Sequence, residues 1–224
     1  MKYVIIGGGV AGTTAAANIR KIDSEGEITI VTNEAYPFYS RMRLIEFPLK
    51  NFTEKGLIIR DIEWYKENKI VLIMADGVLE IDKDKKEVVT ISGKRLGYDK
   101  VLLATGGRSF VPPIPGADKP GVFTLRTMKD ALTIKEHVLS GNNKVVIIGG
   151  GLLGLEVANN MRKADCDVSI VEFFPRLLPR QMDPAGSEIL KAQIESLGFS
   201  LFLEAQSQEL VGENNVEALI LKDG

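Results

Sequence analysis

The chain has 224 residues, with 28 lysines and arginines against 30 aspartates and glutamates, and its formal net charge is −2 at pH 7. This length suits one large domain or two modest ones, and the balanced charge offers no basic field for nucleic acid or an anionic membrane. A single cysteine, Cys166, and a single histidine, His137, exclude a disulfide framework within the chain, a histidine metal cluster and a hydrolytic triad.

The first half of the chain begins with the pattern of a βαβ unit. The apolar run Tyr3–Ile6 leads into Gly7-Gly8-Gly9-Val10-Ala11-Gly12, and an alanine-rich stretch then predicts a helix that reaches Ile22. The β-branched run 28–31 predicts the second strand, and a loop rich in aromatic and arginine side chains follows at 36–43. Beyond this loop we expect a helix at 61–68, a strand at 70–74, and a small antiparallel meander that returns to the parallel sheet, with strands at 77–82, 87–91 and 96–104.

The second half repeats this plan. The segment Pro112–Gly116 cannot form a helix or a central strand, so it predicts a domain boundary. Thr127 caps a helix that runs to about Leu139, and the apolar run Val145–Ile148 leads into a second glycine turn, Gly149-Gly150-Gly151-Leu152-Leu153-Gly154. The further predicted elements are helices at 152–164 and 183–198 and strands at 167–171, 200–204 and 216–221.

These elements predict an α/β fold of two Rossmann-like parallel-sheet dinucleotide-binding units. The first covers residues 1–113 and carries the antiparallel β-meander as an insertion, and the second covers residues 114–224. The apolar runs fall short of the ~20 residues that a membrane-spanning helix needs. Because the first strand starts at Tyr3, a signal peptide has no room ahead of it. We therefore expect a cytoplasmic protein with no membrane partner, no nucleic-acid partner and no metal, and the oligomeric state stays open.

Both glycine turns have the G-x-G-x-x-G spacing of dinucleotide-binding sites. The first glycine permits the tight turn, the second lets the backbone approach a pyrophosphate, and the third lets the helix lie close to the sheet. The pyrophosphate rests on the helix N-terminus, where unpaired N–H groups and about half a positive charge attract an anion. A single turn of this kind has an alternative interpretation, in which the glycines only give the backbone the flexibility that a tight turn needs. Two turns, each between a strand and a helix, predict two dinucleotide sites.

In the second half, Glu172 is the acidic residue expected about 20 residues after such a turn, where a carboxylate accepts hydrogen bonds from an adenosine ribose. It comes 18 positions after Gly154 (172 − 154). Its negative charge repels the 2′-phosphate of NADPH and two phenylalanines follow it, so the sequence favours NADH. Arg176 and Arg180, further along, are the residues that would soften this preference.

In the first half, Glu34 is the carboxylate within reach, 22 positions after Gly12 (34 − 12). We interpret it as the ribose ligand of the first dinucleotide. The alternative interpretation is a solvated turn residue.

A third motif completes a family resemblance: Tyr98-Asp99-Lys100-Val101-Leu102-Leu103-Ala104-Thr105-Gly106-Gly107, followed by Pro112–Gly116. With the two glycine turns it resembles the FAD- and NAD(P)H-dependent pyridine nucleotide-disulfide oxidoreductase family over the whole chain. The resemblance implies that FAD is lined by Gly7, Gly8, Gly9, Val10, Ala11, Gly12, Asn33, Glu34, Arg41, Val78, Ala104, Thr105, Gly106 and Gly107. It implies that NADH is held by Gly149, Gly150, Gly151, Leu152, Leu153, Gly154 and Glu172. Glu156, which follows the second turn, is the candidate catalytic residue.

The chain departs from the thiol-dependent members of this family. Where those members carry one or two reactive cysteines, this chain has Ser40-Arg41-Met42-Arg43-Leu44, and a methionine thioether cannot form a disulfide or a sulfenic acid. Cys166 lies before the second strand of the second unit, where we interpret it as a packing residue. The segment Tyr39–Leu44 is similar to NADH:rubredoxin oxidoreductases and to the flavin portion of nitrite reductases. Ferredoxin-reductase relatives instead have a proline after the first arginine and a lysine a few residues later.

The resemblance therefore implies an NADH-dependent flavoprotein oxidoreductase without a redox-active cysteine. Hydride would pass from NADH to FAD, and electrons would leave to a small redox protein or domain, such as rubredoxin, or to a small oxidant. The alternative is a non-catalytic FAD- or NAD-binding module or partner subunit. The family continues with a Gly-Asp motif and an interface domain, so we expect this chain to be truncated.

Overall fold

The computed structural model describes residues 1–223, which form two compact units. The first unit contains Met1–Arg41 and Glu54–Arg108, and the second contains Met42–Thr53 and the chain from Ser109 onward. Gly224, the last residue of the predicted second domain, lies outside the described residues. No helix within residues 1–223 is long and apolar enough to cross a membrane.

The first unit is built on a four-stranded parallel sheet in the order β3-β2-β1-β7. Its strands are β1 (Lys2–Ile6), β2 (Glu27–Val31), β3 (Ile70–Ile73) and β7 (Lys100–Leu103). The helices are α1 (Val10–Ile22), α2 (Glu54–Leu57) and α3 (Ile62–Glu67). An antiparallel meander is made by β4 (Val78–Asp82), β5 (Glu87–Thr90) and β6 (Arg95–Gly97).

Side-chain alternation along β1 places apolar residues on both faces of this sheet. Ile5 packs in a cluster with Ala16 of α1 and Tyr65 of α3. Val4 and Ile6 belong to a second cluster with Val88 of the meander. The sheet is thus buried on one face by helices and on the other by the meander, and its carboxyl ends remain available for a site.

The second unit has a three-stranded parallel sheet in the order β10-β9-β8. Its parallel strands are β8 (Lys144–Ile148), β9 (Asp167–Val171) and β10 (Ser200–Phe202). The helices are α4 (Met128–Leu139), α5 (Leu152–Lys163) and α6 (Pro184–Ser196), and a hairpin is formed by β11 (Ser207–Val211) and β12 (Ala218–Leu221). The predicted α/β class with two parallel-sheet units and an antiparallel meander is confirmed.

Four local features differ from the sequence prediction, and one of them is the short helix α2, in a stretch with no predicted element. The apolar run 96–104 is two strands, because the chain leaves the meander after Gly97 and joins the parallel sheet at Lys100. The strand β11 was not predicted, since its outward residues are polar and its partner lies across a loop. The aromatic and arginine-rich loop continues into a 3-10 helix at Arg41–Glu46.

Candidate dinucleotide-binding sites

The first glycine turn connects β1 to the N-terminus of α1. Gly7 has φ +116° and donates its N–H to Val31 O at 2.8 Å. A Cβ on Gly12 would lie 1.9 Å from Gly7 O, whereas a Cβ on Gly9 would meet no atom within 4 Å. Gly9 is the N-cap residue, and no side chain caps the helix or places an acid in its first turn. The turn is therefore packed from behind and open in front, and Val10 and Ala11 of the first helical turn are exposed.

The Ala104–Gly107 segment lies directly against this turn. Ala104 donates its N–H to Ile6 O at 2.8 Å, and a Cβ on Gly7 would lie 2.1 Å from Ala104 O. Thr105, Gly106 and Gly107 follow in an exposed, irregular conformation. Two motifs that are about 100 residues apart in the sequence thus meet at one edge of the parallel sheet, as the strand order requires.

Glu34 and Arg41, both predicted FAD ligands, are brought together just past the end of β2. The Arg41 guanidinium forms an ion pair with the Glu34 carboxylate, which also accepts a hydrogen bond from Tyr39 Oη. Arg41 Nη1 donates to Tyr39 Oη at 3.1 Å. The side chains of Glu34 and Arg41 are 17% and 33% exposed, respectively. Tyr39 was missed in the sequence, although its position in the aromatic loop two residues before Arg41 was a usable signal.

Val78 and Asn33 lie where the meander meets the tip of β2. A Cβ on Gly77 would lie 3.4 Å from Asn33 Cβ, and Val78 opens β4 directly after it. Asp76, which is not among the predicted site residues, is buried here. Its carboxylate accepts hydrogen bonds from Ser92 Oγ at 2.6 Å and Ser92 N at 3.0 Å. These bonds hold the meander to the end of the parallel sheet and lower the pKa of the Asp76 carboxyl.

The second glycine turn repeats the geometry of the first. Gly149 has φ +113° and donates its N–H to Val171 O at 2.8 Å. A Cβ on Gly154 would lie 2.2 Å from Gly149 O, and a Cβ on Gly151 would meet no atom within 4 Å. Gly151 is the N-cap residue of α5, again with no side-chain cap and no acid in the first turn. Leu152 and Leu153 beside it are 62% and 57% exposed.

Glu172 is buried at the tip of β9 and points back at this turn. Its Oε2 accepts the Gly150 N–H at 2.6 Å, and its Oε1 accepts the Phe174 N–H at 2.8 Å. Glu172 is 7% exposed, while Phe173 and Phe174, which follow it in the chain, are 61% and 45% exposed. The predicted ribose ligand, Glu172, therefore also holds the backbone of the turn. Each of its carboxylate oxygens has a second lone pair that can still accept a hydrogen bond.

Glu156 and Cys166 differ in exposure. Glu156 is exposed on α5. Cys166 is fully buried, and this burial, together with the nearby Asp165, raises the pKa of its thiol. A buried thiol with a raised pKa is a poor nucleophile at neutral pH.

The residues at both turns fit the pyrophosphate of a dinucleotide. In each unit an uncapped helix N-terminus faces open space over a glycine, and a carboxylate lies at the tip of the next strand. In both units these features lie at the carboxyl ends of parallel strands, where nucleotides bind in α/β folds.

Comparison with known proteins agrees with this geometry. The nitrite reductase (NAD(P)H) of Bacillus subtilis strain 168 is 37% identical over 228 residues, which cover 100% of this chain and 28% of that protein. The NADH-rubredoxin oxidoreductase of Clostridium acetobutylicum is 33% identical over 210 residues, which cover 93% of this chain and 54% of that protein. The crystal structure of a ferredoxin reductase from Rhodopseudomonas palustris has a TM-score of 0.92 at 27% identity, covering 100% of this chain and 55% of that one.

This chain therefore spans between about a quarter and just over a half of the length of these relatives. A family model for pyridine nucleotide-disulphide oxidoreductases matches residues 1–224. The match confirms the resemblance drawn from the sequence, and the family implies FAD and NAD(H) as cofactors. The chain belongs to the pyridine nucleotide-disulphide oxidoreductase family.

Proposed function

We propose that this chain is the dinucleotide-binding part of an NADH-dependent flavoprotein oxidoreductase whose final electron acceptor is a separate redox protein. The observation that carries this proposal is the doubled turn. Gly9 and Gly151 each leave open space at an uncapped helix N-terminus, so the chain offers two pyrophosphate sites and not one. When bound, FAD supplies the redox chemistry, since it accepts a hydride from a nicotinamide and passes electrons on.

The first unit is the FAD site in this proposal. Its turn amides hold the pyrophosphate, Glu34 and Arg41 lie at the ribose side, and Asn33 and Val78 lie at the adenine side. Ala104–Gly107 borders the same turn. These roles require no proton transfer from a side chain. The residues bind and orient the cofactor.

The second unit is the NADH site. Glu172 accepts two backbone N–H bonds beside the turn, so a 2′-phosphate would meet a buried carboxylate. Burying an unpaired like-charge contact is costly. We therefore propose NADH as the preferred donor over NADPH.

The acceptor in this proposal is reached without a thiol step. Ser40–Leu44 contains no cysteine, and the single cysteine, Cys166, is buried with a raised thiol pKa. The two curated relatives compared above are named as a nitrite reductase and a rubredoxin oxidoreductase, and the solved structure is a ferredoxin reductase. A small iron–sulfur protein of the rubredoxin or ferredoxin type is the acceptor class we propose. A cytoplasmic location remains part of this proposal.

The test is an anaerobic titration of the FAD-loaded chain. NADH should bleach the flavin absorbance at a stoichiometry of about one per flavin, NADPH should do so at much higher concentration, and rubredoxin should restore the oxidised spectrum. A chain that binds FAD and NADH but keeps its flavin oxidised would contradict the enzyme proposal and favour a binding module. Failure to bind FAD at all would contradict the assignment of the first unit.

A further inference from the structure

The loop between β9 and α6 is organised around one arginine. The Arg176 guanidinium donates to Met182 O at 2.6 Å, to Pro179 O at 3.0 Å and to Ser187 Oγ at 3.3 Å. Leu178 in the same loop has φ +47°, a left-handed conformation that a leucine adopts only when its surroundings enforce it. Its carbonyl accepts the N–H groups of Gln181 and Met182, both at 3.0 Å. These hydrogen bonds close the loop around the Arg176 guanidinium.

This loop packs underneath the second glycine turn. Leu177 is fully buried, and a Cβ on Gly150 would lie 2.6 Å from Leu177 Cδ2. Leu177 O in turn accepts Ser187 Oγ at 2.8 Å, and Ser187 is 1% exposed. Gly150 is also the residue whose N–H is bound by Glu172. The back of the turn thus rests on Leu177, and the position of Leu177 depends on the loop that Arg176 closes.

We infer that Arg176 is a positioning residue for the second glycine turn and is not a ligand of a 2′-phosphate. This inference rests on the proposed NADH site. Two of the three hydrogen bonds of the guanidinium go to loop carbonyls, and the third goes to Ser187 near the start of α6, so binding a phosphate would require opening the structure that supports the turn. Arg180, four positions later, is exposed and forms no hydrogen bond or ion pair with any residue of 1–223, which makes it the matched control.

The experiment compares Arg176→Gln and Arg180→Gln in the full 224-residue chain. Dissociation constants for NADH and NADPH are measured by fluorescence titration, and amide exchange is followed at Gly150 and across the loop. We expect Arg176→Gln to raise both dissociation constants by about tenfold, because a loosened turn loses preorganised contacts to the pyrophosphate shared by both nucleotides. The NADPH-to-NADH ratio should stay unchanged, and exchange should accelerate at Gly150. Arg180→Gln should leave NADH binding and exchange as they are.

Either of two results for Arg176→Gln would overturn the inference. Weakening of NADPH alone would make Arg176 a phosphate ligand, and unchanged affinities with unchanged exchange would show that the loop does not support the turn. If Arg176→Gln does not accumulate as folded protein, Ser187→Ala is the alternative test, because it removes the hydrogen bond to Leu177 O. It should raise the NADH and NADPH dissociation constants by equal factors, each smaller than tenfold. An unchanged Ser187→Ala variant would also overturn it. A wild-type chain that binds neither nucleotide contradicts the proposed function itself.

Discussion

At the scale of single residues, two buried carboxylates do different work. Glu172 faces the turn on which a nucleotide would rest, and both of its oxygens accept backbone N–H groups. Asp76 faces Ser92 and ties the meander to the end of β3. In both cases hydrogen bonds from N–H or O–H donors compensate the buried carboxylate for lost hydration.

Replacing Glu172 should change the preference between NADH and NADPH, whereas replacing Arg176 should weaken the binding of both nucleotides equally. Glu172→Gln keeps the size of the side chain but removes the charge and turns one acceptor into a donor. We expect the NADH dissociation constant to rise by about tenfold and the NADPH dissociation constant to rise less. The ratio of the NADPH to the NADH dissociation constant should therefore fall. Fluorescence titration of both nucleotides measures this, with the exposed Glu188→Gln as control. An unchanged ratio would contradict the role of the carboxylate in excluding a 2′-phosphate.

Asp76 should make the stability of the first unit dependent on pH. The Ser92 hydroxyl and N–H lower the pKa of its carboxyl below the ordinary value of 3.8. The contribution of the ionised Asp76 carboxylate to the unfolding free energy is therefore fully present above the unfolded-state pKa of this group. It is lost as the pH falls through the folded-state pKa. Asp76→Asn should melt at a lower temperature than wild type at pH 7, and the difference should shrink as the pH falls below about 4. Calorimetry measures these melting temperatures, with Asp84→Asn, an exposed change in the same meander, as the control. A melting-temperature difference between wild type and Asp76→Asn that grows in acid would refute the stabilising role of the Asp76 carboxylate.

At the scale of elements, the strand–turn–helix unit separates two demands on its glycines. Gly12 and Gly154 face the carbonyls of their own turns, whereas Gly9 and Gly151 face open space. The first demand concerns packing of the helix against the turn, and the second concerns the approach of a ligand. The same division appears in both units, although their sequences differ outside the glycines.

A pair of alanine substitutions tests this division. Gly12→Ala places a Cβ 1.9 Å from a backbone oxygen, so we expect it to lower the unfolding free energy by roughly 1–3 kcal/mol. Gly9→Ala should leave urea unfolding of the nucleotide-free protein unchanged but weaken FAD binding, because its Cβ occupies the space in front of the helix. If Gly9→Ala lowers the unfolding free energy as much as Gly12→Ala does, Gly9 is required for folding, and the division proposed here is wrong.

At the scale of the whole molecule, the second unit includes a segment from the first half of the chain. Met42–Thr53 belongs to it, and Asn160 of α5 donates to Ile45 O at 3.0 Å. Lys135 of α4 donates to Leu49 O at 3.4 Å and Phe52 O at 3.3 Å, and its ammonium lies 5.2 Å from the centre of the Phe52 ring. The second unit thus depends on residues that precede its parallel sheet by about 100 positions.

Phe52→Ala should therefore loosen a helix that is distant in sequence. Phe52 is 7% exposed, and truncating a buried phenylalanine costs about 3–5 kcal/mol. We expect faster amide exchange along α4 and unchanged exchange in β1–β3 of the first unit. Phe110→Ala, at a side chain that is 82% exposed, is the control. Exchange that accelerates in β1–β3 but not in α4 would refute the assignment of this segment to the second unit.

Much of the site follows from local sequence alone. Strand, glycine turn and helix are set by residues within about a dozen positions of one another, so both turns, the Ala104–Gly107 segment and the positions of Glu34 and Glu172 are predictable. The parallel pairing of β1 with β2 and of β8 with β9 follows from the same strand–turn–helix–strand unit. The division of 96–104 into two strands was not predictable, because an apolar run does not reveal where the chain changes its pairing partner.

The sequence by itself thus determined the two strand–glycine turn–helix units and the acidic residue that follows the next strand of each. Only the tertiary structure decided what those side chains touch. Glu172 meets the Gly150 amide, Arg176 turns inward to its own loop, and Met42–Thr53 packs in the second unit. The physical reason is that short-range spacing is imposed by backbone geometry, whereas a side chain's partner depends on which distant segments the folded core brings beside it.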